Sequence, residues 1–596
     1  MLKNRITELN FVNTFTNELK PDVATPGLPT VKPTSFPAIA HIQRQVKNAH
    51  YSYCEPEPTP GAFLIAASES SARLLDLDLR AILANPQAKQ EFIDVNCGNT
   101  LLEGTNPWAH VYAGYQFGFF AGQLGDGRAI SLGELVNSRG ETWEIQLKGA
   151  GKTPYSRFAD GYAVIREYLA SEAMHYLGIP TSRALALTGS TRDVYRETEE
   201  KGAVVSRIAP SWIRFGSFEL PYSRGDKDTL RVLADYVIRH HYPECEHGED
   251  AVDGGKYVRL VDQVGKRTAK MVALWQTVGF CHGVMNTDNF SILGLTIDYG
   301  PYQFMDAFEP AYICNHTDED GRYAYNEQPG VAFWNMSRLA SAISGLVVED
   351  LGGDTKKAEE VLLAVLNPFK GLLEEEYLTV MRKKLGLLTS KDDDLTTIVQ
   401  PLLSIMADTR ADYTHFLRTL STIPFLKSNI FPSVSFNEAS PSGTVDIPMA
   451  PPFESRSTPS ELGLLAHSET NPFVVLHRTN NNIFPDIPES PAVVARFIQW
   501  GNLYIDRLKS EMGGASASEC DAERMKRMKQ MNPKYVVRNH LAQAVIEEAE
   551  KGSFESFNGY MKVLERPFEE GSEEEQRKWG GNVPANMQGL RCSCSS

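Results

Sequence analysis

The chain has 596 residues, 42% of them hydrophobic, enough to bury a large core and form about three to four domains or one large elaborated unit. Its formal net charge of −16 argues against a general binder of nucleic-acid backbones, which needs a basic face, though a local basic pocket remains compatible with it. No apolar run approaches the roughly 18 residues of a membrane span, so neither nucleic acid nor a membrane is expected as a partner.

In chain order, the first eleven residues, MLKNRITELNF, lack both the apolar core of a secretory signal and the Arg/Ser-rich length of an organellar presequence. That predicts a cytosolic chain unless its true start lies upstream. Residues 1–95 are Pro-rich and without periodicity until FLIAASESSARLLDLDLRAIL, which carries a helical pattern, and they read as an irregular N-terminal wrap. From 96 to 220, Gly-containing turns separate β-type runs such as WEIQLKG (143–149), followed by a helix-like segment from Tyr162 to Leu177. This order suits a small nucleotide-binding lobe. Residues 221–425 are mostly helical in pattern, residues 426–475 form a Pro/Ser-rich linker or insertion, and helical patterns return in a 476–596 extension. There is no internal repeat. The eight cysteines form neither a zinc spacing nor a disulfide framework, the one local cluster being the tail, RCSCSS.

The chemistry-bearing residues begin with CHGVMNTDNF (281–290). Kinase catalytic loops follow H-R-D-L-x-x-x-N, and His282 and Asn289 keep that spacing. Val284 fills the slot of the proton-accepting Asp, while an Asp stands at 288, directly before the Asn. Nine residues beyond Asn289, Asp298 in TIDYG has the pattern of the metal-binding D-F-G segment, and Mg²⁺ (or Mn²⁺) needs such hard oxygen ligands. An Asp-Asn pair alone is more often a turn cap.

Upstream, GQLGDGRAISLGE puts Gly125, Gly127 and Arg128 on a turn where backbone N–H groups and a guanidinium can hold phosphate oxygens; a plain hairpin with a D-G turn is the alternative. Lys148 ends the next strand and Glu167 lies in the following helix, the two halves of the ion pair that fixes phosphates in kinase-type lobes. Asp160-Gly161 either caps that helix or borders the nucleotide. Arg207 and Arg214, seven apart, suit bidentate neutralisation of a triphosphate, or else surface salt bridging.

Taken together, these stretches resemble the selenoprotein O family of kinase-like protein adenylyltransferases. The resemblance runs from ELNFVNTFTNELKPD through YQFGFFAGQLGDGRAISLGE, QLKGAGKTPYSRFADG and SEAMHYLGIPTSRAL to CHGVMNTDNFSILGLTIDYGPYQFMD, and includes the terminal CSCSS. It implies an α+β, protein-kinase-like two-lobe fold with an N-terminal wrap and a helical C-terminal extension. ATP would sit flipped, so that AMP passes to Ser, Thr or Tyr hydroxyls of protein substrates, with diphosphate released. By the family pattern, Asp288 is the proton acceptor, Asn289 and Asp298 hold Mg²⁺, and Lys148 pairs with Glu167. Gly125, Gly127, Arg128, Asp160, Gly161, Arg207, Arg214 and Asp298 border the nucleotide. Cys594 takes the slot of selenocysteine and is implied to form a redox-sensitive disulfide with Cys314; the resemblance also implies redox-related substrates and a mitochondrial location.

One departure bears on the site. Only four residues, YAVI, separate Asp160-Gly161 from Arg166-Glu167, about one helical turn fewer than the family pattern, which shifts the helix start by roughly 6 Å relative to Glu167. The Lys148–Glu167 pair is the contact this shortening threatens. A conventional kinase, disfavoured by Val284, and a catalytically dead nucleotide-binding scaffold stand as the alternatives.

Overall fold

In Thr142–Lys148 the period-two alternation of a strand turns Ile145 and Leu147 into a core shared with Phe92, Val95, Leu132 and Ile208, and sends Gln146 and Lys148 to the opposite face. The computed structural model in which this is seen describes residues 2–25, 38–156, 163–195, 199–247, 254–427, 431, 472–479, 490–581, 583–584 and 587–590. That strand belongs to an eight-stranded antiparallel sheet made of Tyr51–Tyr53 (β1), Phe63–Ala67 (β2), Trp108–Tyr112 (β3), Leu124–Gly125 (β4), Ala129–Val136 (β5), Thr142–Lys148 (β6), Arg183–Tyr195 (β7) and Glu199–Ala209 (β8). The order is β1-β3-β5-β6-β8-β7-β2, with β4 on β3.

The sheet crosses the boundary drawn at residue 95, because β1 and β2 both precede it. FLIAA, expected to begin a helix, is strand β2 instead. It pairs with β7 from Phe63↔Gly189 to Ala67↔Ala186, and the helix Glu69–Leu74 starts only after Ser68, whose side chain accepts the Ser71 N–H. A Cβ at Gly189 would run into the Phe63 ring, which explains the glycine there.

Beyond the sheet the chain is helical, with Lys227–His241, Lys256–Thr277, Gln328–Asp350, Thr355–Leu366 and Phe369–Lys384 as the main elements. Tyr325–Asp350 is long and apolar enough by composition to cross a membrane, contrary to the expectation from the sequence, yet 56% of its most apolar window is buried inside the protein, as in a core helix. Between 277 and 325 the chain leaves α-helical geometry. A two-residue antiparallel pairing, Phe280↔Phe304 and Cys281↔Gln303, pins the segment that carries Asp288, Asn289 and Asp298.

The C-terminal extension packs back on the sheet lobe. Arg166, on the helix Ala163–Tyr176, donates through Nη2 to Asn539 Oδ1 and Tyr302 O, both at 3.1 Å, and the Tyr168 and Phe557 rings lie 5.7 Å apart. Arg538 grips both Asp412 oxygens (2.8 and 2.7 Å) and the Met305 carbonyl (2.9 Å). The helix that carries Glu167 is therefore held from behind by residues more than 370 positions away in sequence. Most of the expected 426–475 linker lies outside the described residues.

Candidate functional site

The sheet register builds the first half of the site. Arg207 on β8 stands opposite Gln146 on β6, and Val205 opposite Lys148, so the Arg207 guanidinium and the Lys148 ammonium emerge from the same sheet face. Arg207 donates from Nε and Nη2 to Gln146 Oε1 (3.0 and 2.6 Å) and stacks 4.1 Å from the Trp212 ring. Glu167 receives Lys148 Nζ at 2.6 Å and Arg207 Nη1 at 2.6 Å. The shortened connection before the helix thus leaves the Lys148–Glu167 contact intact, with the helix described from Ala163.

Asp298 joins the same cluster from the other side. Its backbone is left-handed (φ 58°), a conformation Asp tolerates better than most residues. Isolated bridges Thr181↔Thr296 and Phe290↔Thr296 anchor the chain just before it. Asp298 Oδ1 meets Lys148 Nζ at 3.1 Å and Arg207 Nη1 at 2.6 Å, and Oδ2 is held by Arg214 Nη1. Burial alone would raise the carboxyl, but Arg214, Lys148 and Arg207 outweigh it and hold Asp298 well below the ordinary carboxylate range. Arg207 and Arg214, read from sequence as a clamp on a triphosphate or as surface salt bridges, meet on one buried carboxylate.

Asp288 has the opposite surroundings. It sits in a single 3-10 turn, Thr287–Asn289, with backbone close on two sides: a Cβ at Gly114 would collide with its carboxylate, and one at Gly216 with the Ala113 carbonyl beside it. Its Oδ2 accepts a 3.3 Å hydrogen bond from Gln116 Nε2, while Oδ1 is buried with no partner among the described residues. Burial pushes the carboxyl up to about 6, against the pull of Arg214 and the Gln116 hydrogen bond. A buried carboxylate with an open lone pair and a raised pKa is suited to take a proton near neutral pH. His282, by contrast, is structural: it is buried, its Nε2 lies 3.1 Å from Ile297 O, and its ring packs 5.3 Å from Trp275.

Several residues of the site were not picked out in the sequence. Asp126, between the two glycines, is buried and accepts from His110 N (3.1 Å), Tyr112 OH (3.3 Å) and Gln146 Nε2 (3.3 Å), with Arg214 Nη2 at 3.6 Å. Glu219 accepts Thr287 Oγ1 at 2.6 Å, and Thr287 Oγ1 accepts the Tyr115 N–H at 2.8 Å; burial raises Glu219 to about 7. The D-G dipeptide hinted at a turn, which concealed Asp126, and no spacing relates Glu219 to residue 287.

Gly125 lies on β4, where a Cβ would sit 2.7 Å from the His110 carbonyl and run into the Tyr155 ring; at Gly127 it would sit 3.2 Å from the Tyr155 carbonyl. Close packing on Tyr155 therefore accounts for the glycine at 125 and leaves a tight fit for any side chain at 127. Gly127 and Arg128 line a cavity of about 120 Å³ with Gly149, Lys152 and Ser156. Asp160 and Gly161 lie outside the described residues, as does Cys594. Cys314 is a buried free thiol whose Sγ donates to Cys281 O at 3.6 Å and abuts Gly283 of the 281–290 loop.

Among the described residues no group of three or more His, Cys, Asp or Glu side chains could hold a metal ion. Asn289 and Asp298 are suitable in kind, since both offer oxygen to a hard cation. Asn289 Nδ2 donates to Val284 O at 3.1 Å, which orients the amide and leaves Oδ1 as the ligand atom. Asp298 would have to release at least one of its three cationic partners to ligate.

A sequence model of the family described as protein adenylyltransferase SelO matches residues 40–565. Among curated relatives, the protein nucleotidyltransferase YdiU of Cupriavidus metallidurans is 40% identical, covering 97% of this chain and 95% of the relative. Those of Thioalkalivibrio sulfidiphilus and Thiobacillus denitrificans are 40% and 39% identical, over 91% and 93% of this chain and 95% and 97% of their own lengths.

Proposed function

The chain belongs to the protein adenylyltransferase SelO family, and from that premise we propose that it transfers AMP from ATP to Ser, Thr or Tyr hydroxyls of protein substrates on a kinase-like two-lobe framework. The observation that carries this reading is the pairing of an unsatisfied, raised carboxylate at Asp288 with a threefold-clamped one at Asp298. Asp288 takes the proton of the acceptor hydroxyl. The freed oxygen attacks the α-phosphorus, the bond from that phosphorus to the bridging oxygen of the β-phosphate breaks, and diphosphate leaves with the electron pair.

Phosphoryl-type displacement needs positioning and charge neutralisation more than covalent chemistry, and Lys148, Arg207 and Arg214 are the cations at hand. When ATP enters, its phosphates compete with Asp298 for these side chains, which frees that carboxylate. Mg²⁺ or Mn²⁺ held by Asn289 and Asp298 would supply further neutralisation of phosphate charge. Gly125, Gly127, Arg128, Asp160 and Gly161 border the nucleotide in this reading. The displaced Asp of the 281–290 loop then has its explanation: the atom attacked is the α-phosphorus, and the base is placed for it.

The test is label transfer from ATP carrying its isotope on the α- or the γ-phosphate, with Mg²⁺ or Mn²⁺, beside Asp298→Ala. Protein-bound label from α-ATP alone, lost in the variant, is expected. Label from γ-ATP would make the chain a kinase, and no label from either would make it a scaffold.

A further inference from the structure

The rim of the cleft on the Asp288 side is a tight hairpin in which Tyr115 pairs with Phe120 and Gln116 with Phe119, turned by Phe117 (φ 50°) and Gly118 (φ 88°). Its first strand and turn are tied to the 281–290 loop residue by residue. Tyr115 N donates to Thr287 Oγ1 (2.8 Å), Gln116 Nε2 to Asp288 Oδ2 (3.3 Å), and Phe117 N to Asn286 Oδ1 (3.3 Å) and Tyr323 OH (2.8 Å). Its second strand is the reverse: Phe119 is 80% exposed and Phe120 42%. The Phe120 ring packs on Tyr115 across the pair at 5.2 Å, but a Phe119 ring held in water adds nothing to the stability of so short a hairpin.

Beside the hairpin lies a stack of aromatic and guanidinium groups. Tyr115 meets Trp334 edge-on at 5.3 Å, Arg322 lies 4.7 Å and Arg338 5.3 Å from the Trp334 ring, and the neighbouring Phe333 is 40% exposed. Among the described residues no carboxylate pairs with Arg322 or Arg338, and the Nε of each is buried without a hydrogen-bond partner. Asp318 spends its oxygens on the backbone N–H groups of Arg322 (3.0 Å) and Tyr323 (2.7 Å), while Glu319 and Asp320 are exposed. Arg338 draws on the buried Glu219 carboxyl through space, but in a chain of net charge −16 two stacked arginines with no ion-paired carboxylate among the described residues are a local exception. Guanidinium groups laid on an aromatic face keep their N–H edge for a carboxylate.

We propose that the 115–120 hairpin and the Arg322–Trp334–Arg338 stack form the docking surface for the acceptor protein, and that they take an acidic segment flanking the accepting hydroxyl. Carboxylates of that segment pair with Arg322 and Arg338, an apolar side chain covers Phe119 and Phe120, and the first strand of the hairpin guides the hydroxyl to Asp288. The proposal rests on the adenylyl-transfer reading only in making the acceptor a protein.

Two fluorescent peptides with one Phe-Ser core, flanked by three Glu or by three Lys, test it by anisotropy on the full chain, followed by transfer of α-label to each. The Glu peptide should bind at least ~10-fold tighter, about 1.4 kcal/mol. The double variant Arg322→Glu/Arg338→Glu should invert that preference. Phe119→Ser/Phe120→Ser, on an exposed two-residue strand outside the core, should weaken both peptides several-fold while leaving ATP affinity unchanged. Equal binding of the two peptides, or binding indifferent to both double variants, overturns the docking surface. Charge-selective binding without any α-label transfer would sustain the surface and sink the adenylyl-transfer reading; transfer insensitive to all four residues would do the reverse.

Discussion

Two carboxylates on the helix Ala163–Tyr176, five residues apart, show how a buried ion pair in a frame differs from one in a working site. Glu172 accepts Arg183 Nε (2.9 Å) and Nη2 (2.8 Å), Ala184 N (3.0 Å), Ser71 Oγ (3.3 Å) and Ser68 Oγ (2.6 Å). Each of its oxygens is satisfied, among the described residues Arg183 forms no ion pair with a second acid, and the effect is to lock the helix to β7. Glu167, on another face, shares both of its cations with Asp298, so the charges can be redistributed when a ligand arrives. Burial resists its ionisation, yet Lys148 and Arg207 hold it below its ordinary range. The closed pair belongs to the frame and the shared one to the proposed site, although both are buried.

The contrast is broken most severely at Glu172. Glu172→Ala strands the buried Arg183 and should cost about 3–5 kcal/mol, read as a lowered denaturation midpoint, with the ATP affinity of the remaining folded protein unchanged. Glu167→Ala leaves Lys148 and Arg207 with Asp298 as partner, so its stability loss should be clearly smaller, while AMP transfer should fall about 10²–10³-fold through misplacement of the cations. Equal destabilisation by the two substitutions would erase the distinction.

Asp288 sharpens the comparison from the side of an unsatisfied group. Its folded carboxyl is raised from 3.8 to about 6, so its protonated form is favoured by folding. That contribution is complete below the unfolded value and is lost as pH rises through about 6. Asp288→Asn should therefore stabilise the chain by about 2–3 kcal/mol at pH 8 and hardly at all at pH 4, in divalent-free buffer, while abolishing AMP transfer. Wild-type transfer should fall as pH drops below about 6, because the base becomes protonated. A variant no more stable than wild type at pH 8 would mean that Asp288 carries no such burden.

Much of this was legible in local sequence. The alternation of WEIQLKG placed Lys148 and Gln146 on one strand face, and the seven-residue spacing of His282 and Asn289 located the loop that carries Asp288. Other features were not. FLIAA has the composition of either element, and pairing with β7 made it a strand. The shortened YAVI connection threatened the Lys148–Glu167 contact, but Asn539, Tyr302 and Phe557 hold the helix from behind, which no local count could register. Asp126 and Glu219 entered the site through partners distant in sequence, Arg214 and Thr287.

The sequence by itself determined which chemical groups are available and in what local geometry, because strand period, turn residues and motif spacing act over a few positions. Only the tertiary structure decided how charge is shared. It brought residues 148, 167, 207, 214 and 298 onto common carboxylates and left one oxygen of Asp288 without a partner. Coulombic and desolvation energies depend on distance and burial in three dimensions, and neither is encoded in any single stretch of the chain.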